Sequence, residues 1–98
     1  MKAIKKLPGK AAKIVDVRDE LSELQSAVGG YIETVTLDPW TVVCCDEEGR
    51  LKGLPYNVEI CGIDFCGPVL LVTPEGDHFT DLVGAEQWLE DLNFEVVA

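Results

Sequence analysis

The chain has 98 residues, of which 47% are apolar, and 18 acidic side chains against 8 Lys and Arg give a formal net charge of −10 at pH 7. A chain of this length buries roughly two-thirds of its unfolded surface in one core, which predicts a single domain over residues 1–98 and excludes a large enzyme. The acidity excludes direct binding of nucleic acid, because that affinity comes mostly from Lys and Arg.

The first predicted elements are a β-hairpin and a helix. Strands over residues 2–7 and 13–17 flank a turn at Pro8-Gly9. Apolar residues then recur at helical spacing, and a pair of glycines ends the pattern. The spacing predicts a helix over residues 19–28 with Asp19 as its N-cap.

The middle of the chain favours a second hairpin followed by a loop. Residues 31–37 and 40–45 are rich in β-branched and aromatic side chains, and Asp38-Pro39 between them favours a turn. Alternating polar and apolar residues predict a brief strand over residues 50–52. Glycine and proline then break regular structure over residues 53–57, which we expect to form a specifically shaped loop.

The last part of the chain contains the strongest strand signal. Residues 69–73 are a continuous apolar run between turn residues and predict a central strand. Residues 58–66 are compatible either with an irregular stretch or with a strand pair that turns at a glycine. A helix with one apolar face is predicted over about residues 82–92, and a short strand over residues 94–97.

These elements predict an α+β fold, in which a mostly antiparallel sheet of about five strands is packed by two helices. The residues expected in the core are apolar and lie on the inward faces of these elements: Leu21, Leu24, Val28, Ile32, Val42, Leu70, Val72, Leu89 and Leu92. Several aromatic side chains on a small sheet need cover, so we expect a homo-oligomer.

Location and cysteine chemistry are predicted from what the sequence lacks. No apolar run reaches the ~18 residues of a membrane span, and no secretory signal opens the chain, so we expect a cytoplasmic protein with reduced thiols. Cys44 and Cys45 would point to opposite faces of one strand, and Cys61 and Cys66 alone make a marginal ligand pair. We therefore expect no metal and no other cofactor.

The sequence offers little for catalysis. It contains no nucleophile-elbow or phosphate-loop motif, and His78, beside Asp77, is its only histidine. A small hydrolase that uses His78 and Asp77 is an alternative, but the expectation is a protein that is not an enzyme.

The charge is distributed unevenly along the chain. Residues 1–18 carry six of the basic side chains, whereas most acids follow them. Basic residues on strands commonly prevent edge-to-edge aggregation, and they can also mark a surface for a partner. The acidic remainder raises a further alternative, a mimic of nucleic acid that inhibits a DNA-binding host protein.

Two sequence blocks indicate a family. Gly-Gly-Tyr-Ile-Glu occupies residues 29–33, and Glu-Gly-x-x-x-Gly-Leu-Pro-x-Asn occupies residues 48–57. With these blocks the chain resembles a family of small uncharacterised domains found in bacteriophages, plasmids and other mobile elements of bacteria. Family members often have Arg directly after the motif Asn, where this chain has Val58. The resemblance implies an accessory protein made in the cytoplasm of a bacterial host.

The functional expectation combines that context with the lack of catalytic motifs. We expect a non-enzymatic binding protein that captures a host protein or a small nucleotide-like signal, for instance in counter-defence. The blocks supply the residues expected to line the site, in which aromatic rings stack on the ligand and a side-chain amide reads a planar edge: Tyr31, Glu33, Leu54, Tyr56 and Asn57. The same blocks could instead define the fold.

Overall fold

An antiparallel sheet forms the centre of the computed structural model, which describes residues 1–97. The elements in chain order are β1 (Lys2–Lys6), β2 (Lys13–Asp16), α1 (Leu21–Val28), β3 (Ile32–Asp38), β4 (Thr41–Asp46), β5 (Tyr56–Ile60), β6 (Ile63–Cys66), β7 (Val69–Glu75), β8 (His78–Thr80) and α2 (Ala85–Val97). The predicted α+β class, a mostly antiparallel sheet with two helices, is confirmed.

Strand β7 is the centre of the six-stranded sheet. The strand order is β2-β1-β7-β4-β3, and β8 pairs with the remaining length of β7. Leu71 lies opposite Ile4 of β1 on one side and Val43 of β4 on the other, and all these pairings are antiparallel. The continuous apolar run that predicted a central strand is therefore explained by pairing on both edges.

Strands β5 and β6 form a separate two-stranded hairpin. Its turn consists of Cys61 and Gly62, which have φ angles of 51° and 79°. Tight hairpins favour positive φ at both turn positions, because that backbone twist matches the twist of the strands. Residues 58–66, which the sequence left open, thus adopt the strand-pair alternative.

The two faces of the sheet are covered differently, because side chains alternate along each strand. Helix α1 packs on one face, where the buried residues are Ala3, Leu24, Val28, Val42, Cys44, Leu70 and Val72. The β5–β6 hairpin and α2 cover the other face. The buried residues there include Ile4, Val43, Cys45, Val58, Phe65, Leu71 and Leu92. Cys44 and Cys45 therefore point to opposite faces, as predicted.

Most of the predicted core is confirmed, with one exception. Ile32 and Leu89 are half-buried against the clusters, and six other predicted core residues are buried. Leu21 is 65% exposed, so its assignment to the core is wrong. It is the first residue of α1, and helical side chains lean toward the N-terminus, so the side chain of Leu21 projects past the end of the helix.

The ends of several predicted elements also differ. The N-cap of α1 is Glu20 instead of Asp19, and the carboxylate of Asp19 accepts a hydrogen bond from Phe79 N. Helix α2 continues through the residues predicted as a terminal strand, because neither Gly nor Pro follows Leu92 to end it. Within the described part of the chain, neither helix has the length and apolar character to cross a membrane.

The strand predicted over residues 50–52 is also wrong, because these residues form a tight turn. Lys52 N donates to Glu48 O at 2.9 Å, and Leu54 N donates to Gly49 O at 3.0 Å. These local bonds use backbone groups that a strand would offer to a neighbour. The segment between β4 and β5 is consequently compact and lies against the end of the sheet.

Candidate functional site

A groove of about 310 Å³ lies next to the β3–β4 hairpin, on the sheet face that the β5–β6 hairpin partly covers. Glu33 and Val35 of β3 line one side, and Ile63 and Asp64 of β6 line the other. The last residue of β4 and the turn that follows it, together residues 46–51, lie at one end. Three separate parts of the chain therefore meet at this groove.

The groove is acidic. Its lining includes the carboxylates of Glu33, Glu47 and Asp64, all on exposed residues. Arg50 is the one cationic side chain among the described lining residues, and its Nη2 donates to the backbone oxygen of Asp64 at 3.3 Å. Exposed carboxylates thus outnumber the cation, and the groove attracts positive charge.

An ion pair between buried Asp46 and exposed Lys52 supports the turn at the end of the groove. The Asp46 side chain is 1% exposed, and its Oδ2 accepts a hydrogen bond from Lys52 Nζ at 2.8 Å. Glu48 N donates to Oδ1 at 2.9 Å. These bonds, that of Lys52 above all, hold the pKa of Asp46 below its usual value although burial opposes the shift.

The two sequence blocks meet at this carboxylate. Gly30 belongs to the first block and Lys52 to the second. A Cβ atom on Gly30 would lie 2.6 Å from Asp46 Oδ2 and 2.9 Å from Lys52 Nζ. Only glycine fits here without a shift of the ion pair, so Gly30 has a structural role that its position after a helix did not reveal.

The Asp46–Lys52 pair should make folding stability depend on acidic pH. Because the pKa of folded Asp46 is lowered, the stabilisation is fully present well above the ordinary value of 3.8 and is lost as the pH falls below it. We expect Asp46→Asn to flatten the pH dependence of the free energy of unfolding in this acidic range. Urea unfolding at a series of pH values checks this, and curves of equal slope for both proteins would contradict it.

Of the five residues predicted to line a binding site, Glu33 lines the groove, and Tyr56 is bonded to Asp64, which also lines it. Tyr56 Oη donates to Asp64 Oδ1 at 3.2 Å, and the side chain is 57% exposed. Reduced hydration and this hydrogen bond raise the pKa of Tyr56. Tyr31 is 71% exposed and borders a separate depression beside α1, lined also by Lys52. The structure therefore brings Glu33 and Tyr56 to one groove and leaves Tyr31 beside another.

Asn57 is directed into the protein, where its amide joins β1 to the β5–β6 hairpin. Its Nδ2 donates to Lys6 O at 2.9 Å and to Gly67 O at 2.8 Å, and its Oδ1 accepts from Lys6 Nζ at 2.9 Å. Both amide hydrogens are thus used within the chain. This arrangement favours the fold-defining interpretation for Asn57.

Leu54 is also directed inward. Its Cδ1 would lie 2.7 Å from a Cβ atom on Gly67, and Gly67 N donates to Pro55 O at 2.8 Å. The loop over residues 53–57 therefore packs against the segment that connects β6 to β7. Leu54 serves this contact and is not among the residues that line the groove.

Lys6 is a structural residue that the sequence analysis treated only as positive charge. It is 1% exposed, and burial lowers the pKa of its amine. Its Nζ also donates to Leu7 O at 3.3 Å. Lys6 lies two residues after buried Ile4 on β1, so strand alternation was a usable signal for its inward direction.

The two buried thiols, Cys44 and Cys45, have little nucleophilic character. Burial raises the pKa of Cys45 to about 11 and that of Cys44 to about 12, so both stay protonated near neutral pH. Cys45 Sγ donates to Glu33 O at 3.6 Å. Within the described residues, no three His, Cys, Asp or Glu side chains converge as metal ligands.

His78 faces an acid other than its sequence neighbour. Its Nδ1 lies 3.4 Å from Asp19 Oδ2, and the histidine side chain is 80% exposed. Asp19 also accepts the backbone hydrogen of Phe79 at 3.0 Å, so this contact ties the loop before α1 to β8. The hydrolase alternative named Asp77, which follows Gly76 in the turn before β8.

Comparison with known proteins gives one family match. The profile of a family described as a domain of unknown function, DUF3846, matches residues 1–93 and so covers nearly the whole chain. No curated protein and no solved structure matches the chain.

Proposed function

The chain belongs to the DUF3846 family, whose function is unknown, and on that premise we propose that it is a non-enzymatic binding protein which captures a basic segment of a host protein. The observation that carries the proposal is the acidic groove between β3 and β6. Glu33, Glu47 and Asp64 supply exposed negative charge there, beside apolar surface from Leu51 and Ile63.

The charge of the groove favours one of the two ligand classes that the sequence left open, a protein segment over a nucleotide-like signal. A nucleotide-like signal carries phosphate, and several exposed carboxylates against one arginine repel an anion. A segment rich in Lys or Arg is attracted by the same surface. Leu51 is 89% exposed, so the groove also offers apolar contact beside its charges. The combination of a charged rim and apolar contact is usual for protein–protein interfaces.

The biological setting of the proposal comes from the resemblance to domains of mobile elements. We place the protein in the cytoplasm of a bacterial host, as an accessory protein of a phage or other mobile element with a counter-defence role. A protein that blocks a host factor needs a stable surface. The ion pair of Asp46 with Lys52, which holds the turn at one end of the groove, agrees with such a surface.

The experiment compares two variants of equal net charge. Glu33→Gln/Glu47→Gln/Asp64→Asn neutralises the groove, and Glu75→Gln/Glu86→Gln/Glu90→Gln neutralises three other exposed acids. Tagged proteins are cross-linked in the bacterial host, and captured proteins are identified by mass spectrometry. We expect the same basic host protein with the wild type and the control variant, and at least a tenfold smaller yield, about 1.4 kcal/mol of binding, with the groove variant.

Other results would contradict the proposal. Equal capture by both variants would mean that the groove is not the binding surface. Displacement of the host protein by added duplex DNA from both variants would favour the nucleic-acid mimic, whose charges are spread over the surface. Native mass spectra that show a bound small molecule instead of a protein would favour the nucleotide-like signal as the ligand.

A further inference from the structure

One edge of the central sheet has no partner strand. β3 is the last strand on its side, and within residues 1–97 no element pairs with its outer edge. The opposite edge is β2, which is shorter and begins with Lys13. β3 has seven residues and is thus the longer of the two edges that another chain could extend.

The register shows which backbone groups of β3 face outward. Glu47 N donates to Tyr31 O at 2.8 Å, so this pair is hydrogen-bonded, and pairs alternate along an antiparallel ladder. The backbone N–H and C=O groups of Glu33 and Val35 are consequently hydrogen-bonded to β4. The N–H and C=O groups of Ile32, Thr34 and Thr36 point to the open edge.

The open edge adjoins the acidic groove on one sheet face. Glu33 and Val35 line the groove, whereas Ile32 lies on the face that α1 covers. In an added antiparallel strand, the residue opposite Glu33 would form a non-hydrogen-bonded pair, with Cα atoms roughly 4.5 Å apart. Its side chain would point to the groove, where Glu47 and Asp64 also lie. Lys or Arg suits that position, and an apolar residue suits the position opposite Val35.

We infer that β3 is a docking strand, and that the partner segment adds to it as an antiparallel strand with basic and apolar side chains alternating toward the groove. This inference rests on the proposed function and specifies how its partner binds. Backbone hydrogen bonds supply affinity in this mode of recognition, and alternate side chains supply specificity. A second copy of the chain fits less well, because two chains of charge −10 repel each other and both present Glu33.

The test uses a fluorescein-labelled synthetic peptide in which Lys and Val alternate with Thr. Thr34→Pro removes one outward N–H and none of the bonds to β4, as proline permits at a sheet edge. We expect Thr34→Pro to weaken peptide binding about tenfold by fluorescence anisotropy. Thr34→Ala, which keeps the N–H, should bind like the wild type. Peptide binding should also slow hydrogen exchange at the Thr34 and Thr36 amides.

A peptide-side variant keeps the test valid if Thr34→Pro does not fold. N-methylation of the peptide nitrogens that face β3 should abolish binding to the wild type, whereas methylation of the alternate nitrogens should not. Equal effects of the two methylation patterns would overturn the inference. If the groove variant loses peptide binding and Thr34→Pro keeps it, strand pairing with β3 is contradicted while the proposed function stands. A β3-dependent dimer in sedimentation, or no peptide binding by the wild type, would also overturn it.

Discussion

Asn57→Ala should lower the free energy of unfolding by about 3 kcal/mol, because it removes three hydrogen bonds worth about 1 kcal/mol each. Two of them satisfy the backbone oxygens of Lys6 and Gly67, and the third satisfies the buried amine of Lys6. Because Lys6 is 1% exposed, water does not readily replace the third bond, and the amine keeps only its longer bond to Leu7 O at 3.3 Å. Urea unfolding followed by tryptophan fluorescence measures the loss.

Lys6→Met measures the contribution of the Lys6 amine separately from the contribution of the two backbone oxygens that Asn57 satisfies. It keeps an apolar stem of similar length and removes only the Nζ donor, so we expect a smaller loss than for Asn57→Ala. In the double variant the losses should be less than additive, because the bond between the two side chains is counted only once. A loss within about 0.5 kcal/mol for Asn57→Ala, the usual range for surface changes, would restore Asn57 as a candidate contact residue.

Gly67→Ala should lower the free energy of unfolding by about 2–4 kcal/mol, for two additive reasons. Gly67 has φ of 82°, a conformation that disfavours any Cβ. The added methyl would also lie 2.7 Å from Leu54 Cδ1, so the loop that contains Leu54 must move. Urea unfolding and the melting temperature report the combined effect.

Gly53→Ala is the matched control for the backbone contribution. Gly53 has φ of 69°, and a Cβ atom there would meet nothing within 4 Å. We expect this variant to lose only the conformational part, about 1 kcal/mol. Adding Leu54→Ala to Gly67→Ala should recover part of the difference. Equal losses for both glycine variants would show that the contact with Leu54 costs nothing.

The sequence predicted those elements whose pattern depends on local spacing. Residues 69–72 are all apolar and Thr73 is β-branched, which identified the central strand, and Leu24 and Val28 identified the buried face of α1. Leu21 has the same spacing, but its exposure depends on where the helix begins. The turn at residues 50–52 depends on hydrogen bonds to Glu48 and Gly49, for which the alternating pattern gave no sign.

The candidate site was less predictable, because it depends on contacts between distant segments. The blocks contain Glu33, which lines the groove from β3, and Tyr56, which bonds to Asp64 of the same groove. Leu54 and Asn57 stand in the same block but turn inward, since their partners are Gly67 and Lys6. Asp64, the acid that links Tyr56 to the groove, lies in neither block.

The position of β7 late in the chain has a consequence for synthesis on the ribosome. Both β1 and β4 need β7 as a neighbour, and the pair formed by Ile4 and Leu71 joins residues that are far apart in the sequence. Until β7 leaves the exit tunnel, β1 and the β3–β4 hairpin expose apolar surface to solvent. The sheet therefore cannot close before β7 has been synthesised, and a chain that stalls before β7 is a target for chaperones and proteases.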